Sequence, residues 1–103
     1  MQIGPWEVLS IETGRFRLDG GAMFGVVPKV LWEKEHPADA QNRVELSLRS
    51  MLLEGFGRRV LVDTGMGDKW DEASKLRYDL RVPEGGVRGA LLAAGSDPDT
   101  ITD

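Results

Sequence analysis

In this chain of 103 residues few side chains could do chemistry. The carboxylate whose setting points to a task is Asp63, which directly follows the apolar run Val60-Leu61-Val62 and precedes Thr64-Gly65-Met66-Gly67. A carboxylate at the end of a buried strand is drawn partly out of water and then needs a polar partner. The competing expectation is a turn-forming Asp whose side chain bonds the backbone two residues on. Gly65 and Gly67 admit the same two uses, either close passage of the loop past a site or plain turn geometry. Metal ligation is poorly provided for. The chain has no cysteine and one histidine, His36, whereas zinc sites take three or four protein ligands. His36 stands between Glu35 and Pro37 in charged, loop-like sequence and is expected in solvent. The 103 residues alone are therefore expected to hold no catalytic metal and to be inactive.

The elements that must position Asp63 are legible from hydrophobic periodicity. Val44, Leu46 and Leu48 alternate with Glu45, Ser47 and Arg49, and Met51-Leu52-Leu53 then runs continuously, which predicts a strand with one face buried early and both buried late. Glu54-Gly55-Phe56-Gly57 supplies a hairpin turn and Arg59-Val60-Leu61-Val62 the returning strand, so an antiparallel hairpin is predicted over 44–62. Earlier, Val8, Leu9 and Ile11 lead to Thr13-Gly14, and Phe16 and Leu18 alternate with charged residues before Gly20-Gly21. This predicts two strands or one bent strand, then a turn. Residues 22–28 read as a loop, as does the polar stretch after Pro37. Beyond Gly67, residues 68–78 are rich in helix formers, with Asp68 as the cap. A second helix is predicted over Val87 to Ala94, closed by Gly95. Ser96-Asp97-Pro98-Asp99 has the pattern of a capping box with proline at the first helical position, opening one helical turn.

Composition narrows the class. At 41% hydrophobic and 29% charged residues, this is material for one folded domain at most. A net charge of −4, with Arg58-Arg59 the sole adjacent basic pair, argues against nucleic acid, whose affinity rests on clustered Lys and Arg. No stretch approaches the ~20 apolar residues of a membrane span, and the start Met1-Gln2-Ile3-Gly4-Pro5 lacks the pattern of a secretory signal. The absence of cysteine is compatible with a reducing compartment, and the expectation is a cytoplasmic protein. Asp39, Asp68, Asp71 and Glu72 are expected as surface carboxylates or caps.

The run Arg59-Val60-Leu61-Val62-Asp63-Thr64-Gly65-Met66-Gly67-Asp68 resembles the first signature of the metallo-β-lactamase superfamily, an apolar strand ending in Asp-Thr-Gly. Asp-Thr-Gly after an apolar strand also occurs in aspartic proteases. The preceding hairpin, Gly67-Asp68-Lys69-Trp70 and the leading Asp19-Gly20-Gly21-Ala22-Met23-Phe24-Gly25 instead fit the lactonase-like hydrolases of the superfamily, over about Phe16 to Asp103. The resemblance implies an α/β fold in which residues 1–103 form an incomplete domain. This would be one half of an αββα sandwich, a mainly antiparallel sheet with two short helices. It implies a hydrolase in which two divalent metal ions, zinc first among them, activate water against an ester or lactone such as an N-acyl-homoserine lactone.

Asp63, Thr64 and Gly65 would then lie beside the metal centre, orienting its ligands without binding metal. Met23 and Phe24 would line the substrate pocket, with core packing as the alternative; Trp32 and Trp70 lean further towards packing. In the superfamily a segment similar to Ser96–Asp103 leads into a strand and the ligand motif H-x-H-x-D-H, which this sequence lacks. The expected partner is therefore a complementary carboxy-terminal half carrying the histidines, or a second copy, besides a small-molecule substrate. Two alternatives stand beside this reading. One is another hydrolase of the same fold, acting on thioesters or organophosphates, and the other is a non-catalytic binding or assembly module.

Overall fold

A computed structural model describes all residues from Met1 to Asp103. Its frame is a four-stranded antiparallel sheet in the order β1 (Gln2–Ile3), β2 (Trp6–Asp19), β3 (Arg43–Gly55) and β4 (Arg58–Val62). The predicted hairpin is β3–β4. Gly55 faces Arg58, and the intervening Phe56 and Gly57 have φ of 52° and 71°, the pair of positive values that lets a two-residue turn follow the twist of its strands. Phe56 tolerates this while its ring meets the edge of Trp6 at 5.3 Å between centroids.

The choice between two strands and one bent strand resolves as a single bent strand. Glu12 faces Arg49 and Gly14 faces Leu48, so Thr13 has no opposite residue and forms a β-bulge. Glycine is required beside it, because a Cβ at position 14 would press into the Arg81 carbonyl. That carbonyl accepts the Arg15 N–H at 2.8 Å, and the Arg15 carbonyl accepts the Arg81 N–H at 2.8 Å.

Alternation places Ile11 of β2, Leu52 of β3 and Leu61 of β4 on one face of the sheet, and α4 (Val87–Ala93) packs there. Ile11, Leu52, Ala90 and Leu91 form the core, with Leu61, Val87 and Ile101 against it. Helix α4 ends as expected: Gly95 has φ of 79°, its N–H donates to the Leu92 carbonyl, and the Ser96 N–H donates to the Leu91 carbonyl. These two hydrogen bonds satisfy carbonyls the helix leaves free.

Several expectations are corrected. The chain has four short α-helices where two were expected. Gly20-Gly21 opens a helix instead of closing a strand: α1 spans Gly20–Phe24 within the expected loop, capped by the Asp19 carboxylate, which accepts the Ala22 N–H at 2.9 Å. A Cβ on Gly20 would overlap the indole of Trp32, so the glycine serves close packing. The next helix, α2 (Lys29–Trp32), carries no signal in the sequence reading; it exists because Trp32 docks against Gly20 and stacks on Phe24 at 4.9 Å. The helix expected from Asp68 begins only at Glu72, as α3 (Glu72–Tyr78). Its cap is Asp71, whose carboxylate accepts the Ser74 N–H. The Trp70 indole N–H donates to the Met66 carbonyl at 2.8 Å and holds 66–70 in a loop that a helix from 68 would break. The final turn, Pro98–Thr100, is a 3₁₀ turn capped by Asp97, while Ser96 is held by the Arg59 guanidinium.

The opposite face of the sheet is uncovered. Val8, Met51, Leu53, Val60 and Val62 lie there, flanked by Trp6 and Phe56. A depression of about 510 Å³ is lined by Trp6, Leu53, Phe56, Val60, Arg58 and Asp103. Only 10 of 103 residues are buried and 6831 Å² is accessible, against roughly 5,800 Å² for a closed monomer of this mass. The radius of gyration is 16.6 Å, against about 13 Å for a domain of this length. No helix is long and apolar enough to cross a membrane.

Candidate functional site

The site is built from the carboxyl end of β4. Val62 is its last strand residue, and the chain then turns sharply: Asp63 takes φ of 74° and Gly65 φ of 72°. The Asp63 carboxylate accepts the Gly65 N–H at 2.8 Å, which is the local Asp turn. The expectation that Asp63 is drawn out of water is corrected here, since Asp63 and Thr64 are both exposed. The turn swings them past the sheet edge, where nothing in these 103 residues covers them. Gly65 meanwhile comes down onto the sheet, and a Cβ there would lie 3.3 Å from the Thr13 hydroxyl. Gly67 passes beside Gly86, at the start of α4. Both glycines take the positive φ that turn geometry asks for.

Downstream of the turn, Met66 and Trp70 join Phe16 and Leu18 of β2 and Tyr78 of α3 around an open apolar cleft of about 290 Å³. The Trp70 indole nitrogen is already spent on Met66, so the cleft offers almost purely hydrocarbon surface. Apolar clefts with few polar groups are ordinary settings for the hydrophobic part of a small ligand. Neither Met66 nor Tyr78 stood out in the sequence, because both wait on the packing of α3 and the loop.

The far side of β4 receives the last residues of the chain. The Asp103 N–H donates to the Arg59 carbonyl at 3.3 Å and the Leu61 N–H donates to the Asp103 carbonyl at 2.8 Å. This pattern sets Asp103 opposite Val60 and running parallel to β4. Arg58 grips the Asp103 carboxylate, which it holds below the usual carboxylate range. At Asp103 the chain therefore runs in the same direction as β4, towards the Asp63 turn.

Elsewhere several charged groups pair with one another. Arg17 pairs with Asp79 at 3.0 Å, Arg43 with Asp39 at 2.9 Å, and Arg81 with Glu45. Asp39 sits below its ordinary range because it accepts the Arg43 N–H and faces the Arg43 guanidinium, and Glu45 does so because of Arg81. These pairs clamp the loop before β3 and residues 79–81 onto the sheet; none is poised as an acid or base.

Met23 is exposed, and Phe24 stacks on Trp32 and meets the tilted ring of His36, whose centroid lies 5.2 Å from its own. Both Met23 and Phe24 belong to α1, and neither lines the apolar cleft. His36 is exposed, as expected. No three His, Cys, Asp or Glu side chains come together as a metal-holding group. The donor set of these residues does not fit a catalytic metal by itself.

Neither a protein-family model nor a curated protein matches this chain. Among solved structures it matches a crystal structure of a probable metal-dependent hydrolase from Staphylococcus aureus, with a TM-score of 0.83 and 29% sequence identity over 98% of this chain. The match spans 36% of that protein's length. The architecture, a mainly antiparallel four-stranded sheet with a few short helices, is consistent with part of a hydrolase domain.

Proposed function

We propose that this chain forms the amino-terminal layer of a metal-dependent hydrolase of metallo-β-lactamase type, one half of an αββα sandwich, acting on an ester or lactone. N-acyl-homoserine lactones are the first substrates to test. The observation that carries the reading is the match, across nearly the whole chain, to a structure described as a probable metal-dependent hydrolase. In this reading the metal ions, two and zinc in the first instance, are held by histidines on polypeptide other than these residues. That polypeptide also covers the open apolar face, since apolar area is stabilising only when removed from water. This chain contributes the Asp63-Thr64-Gly65 turn as a support beside the centre, and Met23 and Phe24 as one candidate pocket wall. A cysteine-free chain is at home in a reducing cytoplasm, which the proposal adopts as its compartment.

A panel assay on the whole protein that carries this chain tests the reaction class. Lactone and ester hydrolysis, followed by product identification, is expected to exceed thioester and phosphotriester hydrolysis. A preference for either of the latter keeps the hydrolase and rejects the substrate. No hydrolysis of any of the four favours a binding or assembly module.

A further inference from the structure

Two hydroxyls are buried with no protein partner. Thr13 and Ser50 are each 2% exposed, and neither Oγ atom makes a hydrogen bond within the chain. Buried hydroxyls are nearly always satisfied, by protein or by ordered water. Their placement is specific. Ser50 faces Ile11 across the β2–β3 ladder, and Thr13, two residues on from Ile11, is the extra residue of the bulge. Both hydroxyls therefore belong to the sheet face over which Gly65 passes, and the Thr13 hydroxyl is the atom nearest to where a Gly65 Cβ would stand. The turn above has backbone groups open to a further partner. The Thr64 N–H, the Thr64 carbonyl and the Gly65 carbonyl make no backbone hydrogen bond.

We propose that Thr13 and Ser50 form a two-point polar seat beneath the Asp63–Gly65 turn, holding one ordered water that bridges their hydroxyls to the turn backbone. Two hydroxyls below and a carbonyl or N–H above give such a water the two to four partners it needs. The bulge is what makes this possible, because one inserted residue re-aims the Thr13 side chain beneath the loop. Thr13 is thereby a positioning residue for Asp63. It touches no reacting group, and it fixes the turn from which that carboxylate projects. The inference goes beyond the hydrolase reading and does not depend on it.

Hydrogen exchange of the whole protein, resolved to residues 63–67, tests the seat without any activity measurement. Thr13→Val keeps the shape and deletes the hydroxyl. The seat predicts exchange at least about tenfold faster at the Gly65 N–H, the turn amide that a hydrogen bond holds, unchanged exchange in the β3–β4 hairpin, and recovery in Thr13→Ser. If the hydroxyl only fills space, Thr13→Val removes a buried unsatisfied polar atom, so stability rises or holds and turn exchange stays at the wild-type rate; that result overturns the proposal. Ser50→Ala gives a second measurement where Thr13→Val fails to fold. Faster turn exchange supports the seat, and a wild-type rate refutes it.

Discussion

Asp63 shows how a residue's position and its environment come from different sources. Its position at the end of β4 follows from the run Val60-Leu61-Val62, which any reader of the sequence can find. Its environment does not, because burial of the carboxylate requires material above the turn that these residues lack. What the structure does show is a turn whose hydrogen bond, from the Gly65 N–H to the Asp63 Oδ1, Asn would reproduce. Asp63→Asn is therefore a clean probe of charge. If the hydrolase proposal holds, it is expected in the whole protein to lower turnover by roughly 10–100-fold with little change in substrate affinity, as loss of a group that orients metal ligands does. Kinetics at saturating metal, with metal content measured on the same samples, check this. Unchanged turnover and metal occupancy would leave Asp63 a turn residue only.

Asp39 supports a prediction of pH dependence at the same scale. Hydrogen bonds from Arg43 hold its folded pKa below the ordinary value. A depressed folded pKa contributes stability that is present above the unfolded value, near pH 4, and is lost as pH falls through the folded value. Asp39→Asn should thus be less stable than wild type at neutral pH, with the difference closing below about pH 4. Denaturant melts from pH 7 downwards give the comparison, and a difference that does not shrink as pH falls below about 4 contradicts the clamp.

Elements were readable where local pattern and tertiary demand agree. The β3–β4 hairpin announced itself because one-sided burial imposes alternation and the turn needs a residue such as Gly57 at positive φ. Helix α4 did so because its apolar run is closed by Gly95. The others fail for identifiable reasons. Gly20-Gly21 looks like a turn, and only the indole of Trp32, twelve residues away, makes glycine necessary at the head of α1. Asp68 and Asp71 are equally good caps on paper, and the bond from Trp70 to Met66 decides between them. Asp71→Ala should accordingly lower the melting temperature and Asp68→Ala leave it almost unchanged. At the core, Leu91→Ala should cost about 2–5 kcal/mol, as buried Leu truncations do, because Leu91 is 1% exposed against Ile11 and Leu52. Thermal melts measure the first effect and chemical denaturation the second; a loss below about 1 kcal/mol for Leu91→Ala would mean that α4 is only loosely docked.

At the scale of the whole molecule the sheet is a layer with one face packed and one face open. The open face is divided: charged pairs such as Arg81–Glu45 occupy the end near β3's start, and Val8, Met51, Leu53, Val60 and Val62 occupy the other. The charged end is at ease in water, whereas the apolar end is the kind of surface that draws a partner. The isolated 103-residue chain is expected to sediment as an associated species, and a compact, cooperatively melting monomer would count against this. In the hydrolase reading the partner layer brings the metal ligands, so metal and activity should appear together in the whole protein and be absent from this chain. The most direct measurement is therefore metal content and hydrolysis of the whole protein before and after chelation, beside metal titration of the isolated chain. The expected result is a bound divalent metal, hydrolysis lost on chelation and restored on reloading, and no stoichiometric site on residues 1–103. Hydrolysis by metal-free protein, or a stoichiometric site on the isolated chain that His36→Ala removes, would contradict it.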